Sequence, residues 1–433
     1  MNEEMKTLIK ETIESEQFPE IKSNHRRQVT EQVLANQINF MKGLSESEAS
    51  TNATGAGIAN WDPVLIKMVR RSMPQLMAFD LMGVQPMTAP TGSIFAMRAR
   101  YATQTGAEAQ FNEADSAFSG TGTQAGDTSG FPVGYFDTDP ANIPATSTSK
   151  GTAMATSAAE ALGVQGGTAW NEMAFSIERT DVSAKSRKLK AKFSRELQYD
   201  LKNVHGIDAE TELANILSEE IRAEIDRECL RTINIAAVIG AQGATTPGLF
   251  DLTADSDGRW LVERFKGLLF QMEIEANAVA KATRRGKANR VVCSSNVASA
   301  LNMAGVLQYN PDLAAKLNVD EASATFAGIL LGRYQVFVDP YATTDYLTVG
   351  YKGANAWDAG VYYCPYLPLE MYRTVGEDTF QPAIGFATRY GIIANPFDHN
   401  YLNAGVPTAK AGKGLGVGEN SYFRKFAVGS LTI

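Results

Sequence analysis

With 433 residues, 44% hydrophobic and 20% charged, the chain has the apolar content for a substantial core and the length of two or three domains, which excludes a disordered polymer. Its 48 acidic and 40 basic residues give a formal net charge of -8 with no basic tail, so overall charge offers nothing to a nucleic acid. Cys229, Cys293 and Cys364 are odd in number and far apart, which fits neither a disulfide framework nor a thiolate metal site and points to a reducing cytoplasm.

The N-terminus, MNEEMKTLIKETIESEQ, is charged throughout and lacks the apolar core of a secretion signal. No later stretch supplies ~20 uninterrupted apolar residues, so no membrane insertion is expected. Residues 1–46 read as polar helix, with Leu8, Ile9, Ile13, then Val29, Val33, Leu34 and Ile38 at helical spacing, broken at Phe18–Glu20. KGLSESEASTNATGAGIAN follows, a Ser, Thr, Gly and Asn run that reads as an exposed linker. From Trp61 the composition changes. Val64, Leu65, Met68 and Val69 suggest a short helix ending before Pro74, and Ile94–Tyr101 alternates as a strand with Ile94, Ala96, Arg98 and Arg100 on one side.

Residues 103–168 are poor in aliphatics and read as an exposed excursion. Order returns at Trp170, with strand character across Phe175–Phe193. Alternation there puts Arg187, Leu189, Ala191 and Phe193 on one side and Lys188, Lys190 and Lys192 on the other. Two strands bracketing an excursion make a long tongue, and an isolated ribbon is marginal without a surface to lie on.

The longest regular stretch is Asp208–Ala237, where Leu213, Ile216, Leu217, Ile221, Ile225, Cys229, Ile233 and Ala236 form one apolar stripe uninterrupted by Pro or Gly. Asp208 is placed to cap it with its side chain, and Glu210 and Glu212 suit its positive end. A helix about 45 Å long acts as a beam. Arg222 can pair with Asp226 along its surface, as can Glu219 with Arg222, Glu224 with Arg227 and Glu228 with Arg231. The acid left over is either a solvated face or the complement of a basic partner. Beyond it, Leu261–Ala282 reads as helix, Asn289–Ser294 as strand and Val297–Met303 as helix. Ile329–Val338, Tyr346–Tyr351, Val361–Tyr366, Ala383–Ile393 and Tyr422–Ile433 read as strands, the last after a Gly-rich stretch from Ala404 to Asn420.

Signs of catalysis are sparse. His25, His205 and His399 are scattered, with no HExxH pair. PTAKAGKG at Pro407–Gly414 lacks the first Gly and the final Ser or Thr of a phosphate loop. Gly120, Gly122 and Ala125 fit a loose GxGxxA with no strand before it. Lys185, Arg187, Lys188, Lys190, Lys192 and Arg195 form one basic cluster, which suits phosphate contacts, a solvated face or an acidic protein partner. If copies assemble, the acid of the beam at Glu219, Glu220 and Glu224 is such a partner for Lys188, Lys190 and Lys192.

MVRRSMPQLMAFD, GVQPM and PTGSIFA in the run from Met68 to about Phe95 resemble the major capsid proteins of T-even-type tailed phages. So do AKSRKLKA at Ala184–Ala191, VHGIDAE at Val204–Glu210, TVGYKG at Thr348–Gly353 and DAGVYY at Asp358–Tyr363. FQP, GF, TRYGI and NPF between Phe380 and Phe397 add to them, and the likeness runs from about Ile58 to Phe426. The stretch 103–168 departs from it, being short and poor in core residues where that family carries an insertion domain. The resemblance implies an α+β, HK97-like capsid fold. Its parts would be a propeptide at 1–46, an N-terminal arm at 47–87, an extended loop at 88–200, a P domain at 201–287 with its spine helix at 208–237, an A domain at 288–343, and P-domain return strands at 344–433.

It also implies a structural virion protein with no catalytic, metal or cofactor site, forming hexamers of an icosahedral shell around DNA, assembled in the host cytoplasm. Implied partners are a vertex protein, a scaffold, a prohead protease and decoration proteins. The pentameric vertex protein of such phages is the alternative within the fold, and an enzyme using the Gly-rich tail the alternative outside it. Cleavage in this phage group resembles Leu or Ile, any residue, then Glu. Leu44-Ser45-Glu46 fits and opens directly into the linker, so the cut is expected between Glu46 and Ser47; Ile9–Glu11, Leu217–Glu219 and Leu261–Glu263 fit the tripeptide but lie in helical patterns.

Overall fold

The computed structural model describes residues 21, 23–47, 76–106, 108–110, 114–122, 151–163, 169–206, 208–256, 260–304, 307–309, 325–355, 357–376, 381–395 and 415–431. In chain order these carry α1 (Asn24–Ser47), α2 (Ala78–Leu81), β1 (Gly83–Val84), β2 (Thr91–Tyr101), α3 (Thr156–Glu160), β3 (Met173–Ser183), β4 (Lys185–Lys192), α4 (Arg195–Asp200) and a π-helical turn (Leu201–His205). Then come α5 (Ala209–Ala236), β5 (Ala237–Ile239), β6 (Leu249–Asp251), α6 (Leu261–Thr283), β7 (Arg290–Ser294), α7 (Ser295–Met303) and β8 (Leu307–Tyr309). The chain finishes with β9 (Thr325–Leu330), β10 (Tyr334–Asp339), β11 (Tyr346–Gly350), β12 (Val361–Val375), β13 (Pro382–Ala394) and β14 (Asn420–Gly429). The class is α+β. Two compact units result, one of Met1–Gly92, Asp181–Asp398 and Gly412–Ile433, the other of Ser93–Thr180 with His399–Ala411.

The first unit holds an eight-stranded sheet ordered β5-β14-β11-β7-β10-β9-β8, with β6 also on β14. Because side chains alternate along a strand, its two faces go to different cores. Val292, Phe337 and Phe423 join the core around α5, while Val291, Cys293, Val336, Leu347, Val349 and Phe426 join a second core with Phe265, Leu268 and Met272 of α6. Thr348 faces α5 and donates to Asn234 Oδ1 at 2.9 Å. A four-stranded sheet, β1-β12-β13-β4, contributes Val361, Tyr363, Leu369, Ile384, Phe386 and Tyr390 to the α5 core.

The beam forms as expected, but four of its details differ. Asp208 does not cap through its side chain. Its Oδ2 accepts from Thr211 Oγ1 at 3.0 Å, a hydroxyl one turn on that takes the carboxylate from the backbone. Ile216 is exposed, whereas Leu230 is buried. Arg222 and Asp226 lie within the core rather than along the surface, and Asp226 accepts from the Met77 N-H at 2.9 Å. The surface charges reach other elements: Glu224 and Glu228 bind Arg187, and Arg227 binds Asp339.

Three strand expectations also change. The stretch Phe175–Phe193 is not one strand of a tongue: β3 pairs with β2, and β4 pairs antiparallel with β13, Lys188 opposite Ala387 and Lys192 opposite Ala383. The reason is the amphipathic second half, whose Leu189 and Ala191 pack on the α5 core and draw β4 into the sheet. Ile329–Val338 is a hairpin whose strands are joined by Leu331–Arg333, with positive φ of 53° at Leu331 and 69° at Gly332 and the Arg333 N-H donating to Leu330 O at 3.1 Å across the turn. Finally, β12 continues past Pro365 to Val375, with register shifts either side of Leu367 that absorb Pro365 and Pro368.

The helix α1 runs on through Ser47, so Lys42–Glu46 is helical rather than linker. Residues 1–20, the Phe18–Glu20 break, the Val64–Val69 helix and Pro407–Gly414 lie outside the described residues.

In the second unit, β2 and β3 form a two-stranded ribbon. Glu108 bridges to Arg100, and the Ala109 N-H donates to Ala99 O at 2.8 Å, so the start of the excursion folds back along the ribbon. Phe118 packs on Tyr101 with ring centroids 4.6 Å apart.

Candidate assembly surfaces

The basic strand presents two chemically different faces. On the side toward α5, Arg187 Nη1 meets Glu224 Oε2 at 2.8 Å, and its remaining nitrogens reach Glu228 and the Tyr390 hydroxyl. Burial alone would lower the Arg187 pKa, but the hydrogen bonds of Glu228 and Tyr390 raise it. On the other side Lys188, Lys190 and Lys192 are exposed, at the edge of the four-stranded sheet. A lysine-lined edge resists uncontrolled strand addition. Glu219 and Glu220 are exposed on α5, and Glu224 is half-buried in its own chain's pair with Arg187. The structure thus joins Glu224 to the basic strand through Arg187, and leaves the three lysines and two glutamates outward.

The ribbon carries the feature that sequence reasoning missed. Arg98 is 2% exposed and pairs with Glu108 Oε2 at 3.3 Å, while Arg100 donates to Ser176 Oγ and Gly106 O, each at 2.9 Å. The opposite face is apolar and open: Phe95, Met97, Met173, Phe175 and Ile177 are each 55–68% exposed. The alternation was readable, but the rule that apolar residues turn inward assigns the wrong side. Two arginines paired with an acid, a hydroxyl and a carbonyl take the covered face here.

The segment Leu76–Met87 is pinned to the first unit from several directions. Asp226 holds the Met77 N-H, Lys352 Nζ donates to Phe79 O, and Arg290 Nε donates to Asp80 O at 2.9 Å. Parallel pairing sets Gly83 opposite Tyr362 and Val84 opposite Tyr363, and the Met87 N-H reaches Pro365 O at 2.9 Å. Burial pushes the Asp226 pKa up to about 7, against the Met77 N-H and Arg222, which lower it. Burial likewise lowers the Lys352 pKa to about 8. Against this segment lies α1, with Val29, Val33, Leu34 and Ala35 in the core; Leu44–Ser47 forms its last turn.

The sites considered for chemistry stay apart. His25 sits against Phe79, its pKa lowered by burial, His205 is exposed beside Gly206, and His399 lies outside the described residues. Cys229, Cys293 and Cys364 are free and buried, and burial raises the pKa of each. Thr121, between Gly120 and Gly122, bridges Thr152 in a surface turn. Among the described residues no group of His, Cys, Asp or Glu has metal-binding geometry, and no helix is long and apolar enough to cross a membrane.

A family model described as Major capsid protein Gp23 matches residues 58–428. The chain belongs to this family. The Major capsid protein of Salmonella phage ViI is 44% identical over 416 residues, covering 93% of this chain and 92% of that protein. That of Serratia phage KSP90 is 42% identical over 443 residues, covering 100% of this chain and 99% of that protein. The Capsid vertex protein of Enterobacteria phage T4 reaches only 28% over 240 residues, 52% of this chain and 53% of that protein, which decides between the two shell roles. A solved structure titled the capsid of Myoviridae Phage XM1 aligns with a TM-score of 0.39 and 11% identity over 81% of this chain and 92% of its own, too distant a likeness to bear weight. As a Gp23-family member the chain is a capsid component of a tailed phage, and it works in the head shell of the virion.

Proposed function

We propose that the chain assembles as hexamers that close into an icosahedral head enclosing the phage genome without sequence-specific DNA contacts. The observation that carries the reading is the open apolar face of the ribbon. Five large apolar side chains on a two-stranded sheet are costly to leave in water, at roughly 25 cal/mol per Å2, and a second copy of the chain is the partner always present. In this reading 88–200 is the extended loop that laps a neighbour, 47–87 the arm, 201–287 with 344–433 the P domain, and 288–343 the A domain. Lys188, Lys190 and Lys192 then lie near Glu219 and Glu220 of an adjacent subunit, where Glu224 is shared with Arg187. The chain acts by assembly, not by catalysis.

Its partners would be a vertex protein at the pentamers, a scaffold inside the immature shell, a prohead protease and outer decoration proteins, all meeting in the host cytoplasm. The protease would cut between Glu46 and Ser47. That bond lies in the last turn of α1, where the final carbonyls lack intrahelical donors and the helix opens most readily. The family match begins beyond it, at residue 58. Coexpression with the scaffold, followed by sedimentation and negative-stain imaging, tests the assembly reading: closed shells or tubes are expected, and a stable monomer that ignores the scaffold would overturn it.

A further inference from the structure

The walls around α1 are also held by contacts that do not involve α1. Leu76–Met87 is held by Asp226, Lys352 and Arg290 and by pairing with β12, none of which belongs to the helix. What α1 adds is an apolar filling and two polar anchors. Val29, Thr30 and the whole turn Val33–Gln37 are buried, and five consecutive buried residues mean that the helix is covered on more than one side. Arg26 Nη2 binds Asp80 Oδ1 at 2.5 Å, its guanidinium 5.3 Å from the Phe79 ring centre. Further along, the Asn36 amide donates to two carbonyls, Met87 O at 2.6 Å and Tyr366 O at 3.0 Å. At ~1.5 Å rise per residue the anchors stand about 15 Å apart along the helix axis.

We infer that α1 is the replaceable occupant of a helix-binding slot. Once severed from the chain, it leaves that slot open to an α-helical peptide with valine or leucine on one face, an arginine at one end and an asparagine ten residues on. Residues 48–75 join α1 to the rest of the chain covalently, and a cut replaces that intramolecular linkage with the peptide's own dilution. The vacated slot presents the Asp80 carboxylate and the Met87 and Tyr366 carbonyls without their α1 donors, beside an apolar floor. Those groups select the ligand. The inference shares with the proposed function only the idea that α1 is cut free.

The test uses the full chain with a site for a sequence-specific protease inserted between residues 48 and 75. After cutting, gel filtration at high concentration should retain the α1 peptide and dilution should release it. A fluorescent Asn24–Glu46 peptide should then bind the depleted protein saturably and the uncut protein at least tenfold more weakly. Val33→Asp with Asn36→Ala in that peptide should weaken binding at least tenfold. Retention of α1 through exhaustive dilution without exchange, equal binding to uncut protein, or unfolding when α1 departs would each overturn the slot. A virion subunit found still to begin at Met1 would count against cleavage at Glu46 and leave the slot standing.

Discussion

Asp226 shows how a residue with an ordinary reading becomes a sensitive one. Spaced four from Arg222, it suggests a surface pair, but both side chains are buried, and one carboxylate oxygen holds the Met77 N-H. Its pKa of about 7 stands above the ordinary 3.8. A carboxyl raised in this direction contributes stability at low pH that is lost as pH rises from about 4 through about 7, since the unfolded chain ionises freely and the folded one resists. The groups facing it are Arg222 on its own helix and Met77 and Asp80 on the packed segment. Asp226→Asn keeps the acceptor and removes the charge. Urea denaturation should find it equal to the parent at pH 4 and more stable by about 1–3 kcal/mol at pH 8. A difference that does not vary with pH would show that the buried carboxylate is fully compensated. None of this was legible in the sequence, because what buries Asp226 is a segment some 150 positions away.

At the scale of elements, period and length were legible, while pairing was not. The stripe of α5 and the alternation of β4 are local signals, and both helix and strand appear where those signals put them. The break after Ser183 is a tertiary choice: β4 leaves the ribbon because Leu189 and Ala191 find cover under α5, which Phe175 and Ile177 do not. The turn at Leu331–Gly332 escaped notice because Leu rarely adopts positive φ, so only half of the usual turn signal is there. Two substitutions separate the surfaces. Lys188, Lys190 and Lys192 changed together to Glu should leave the thermal midpoint within a few degrees of the parent, since exposed charges contribute about 0–1 kcal/mol each, yet impair shell formation and remove its salt dependence. Normal shells from that variant would separate the lysines from assembly. Phe95→Ser with Phe175→Ser should likewise spare folding and abolish shells, read as soluble subunits in a sedimentation run. Shells of ordinary yield would mean that the apolar face has no partner.

At the scale of the whole molecule, the family was legible in short motifs spread over most of the chain, and the family match at 58–428 bears that out. The role of the N-terminal helix was not, because Val29, Val33 and Leu34 look like any amphipathic pattern until their partner surface is known. Subunits taken from mature particles should begin Ser-Glu-Ala-Ser, about 5 kDa lighter than the 46.8 kDa chain, and Glu46→Ala should block that change. An intact Met1 in mature particles would contradict the cleavage. In the proposed shell, copies of this chain complete one another across the ribbon. The most direct measurement is a cryo-electron-microscopy reconstruction of shells formed with the scaffold, at a resolution that shows side chains. It should show Phe95, Met97, Phe175 and Ile177 covered by a neighbouring subunit; a closed shell in which that face still looks into solvent would contradict the claim.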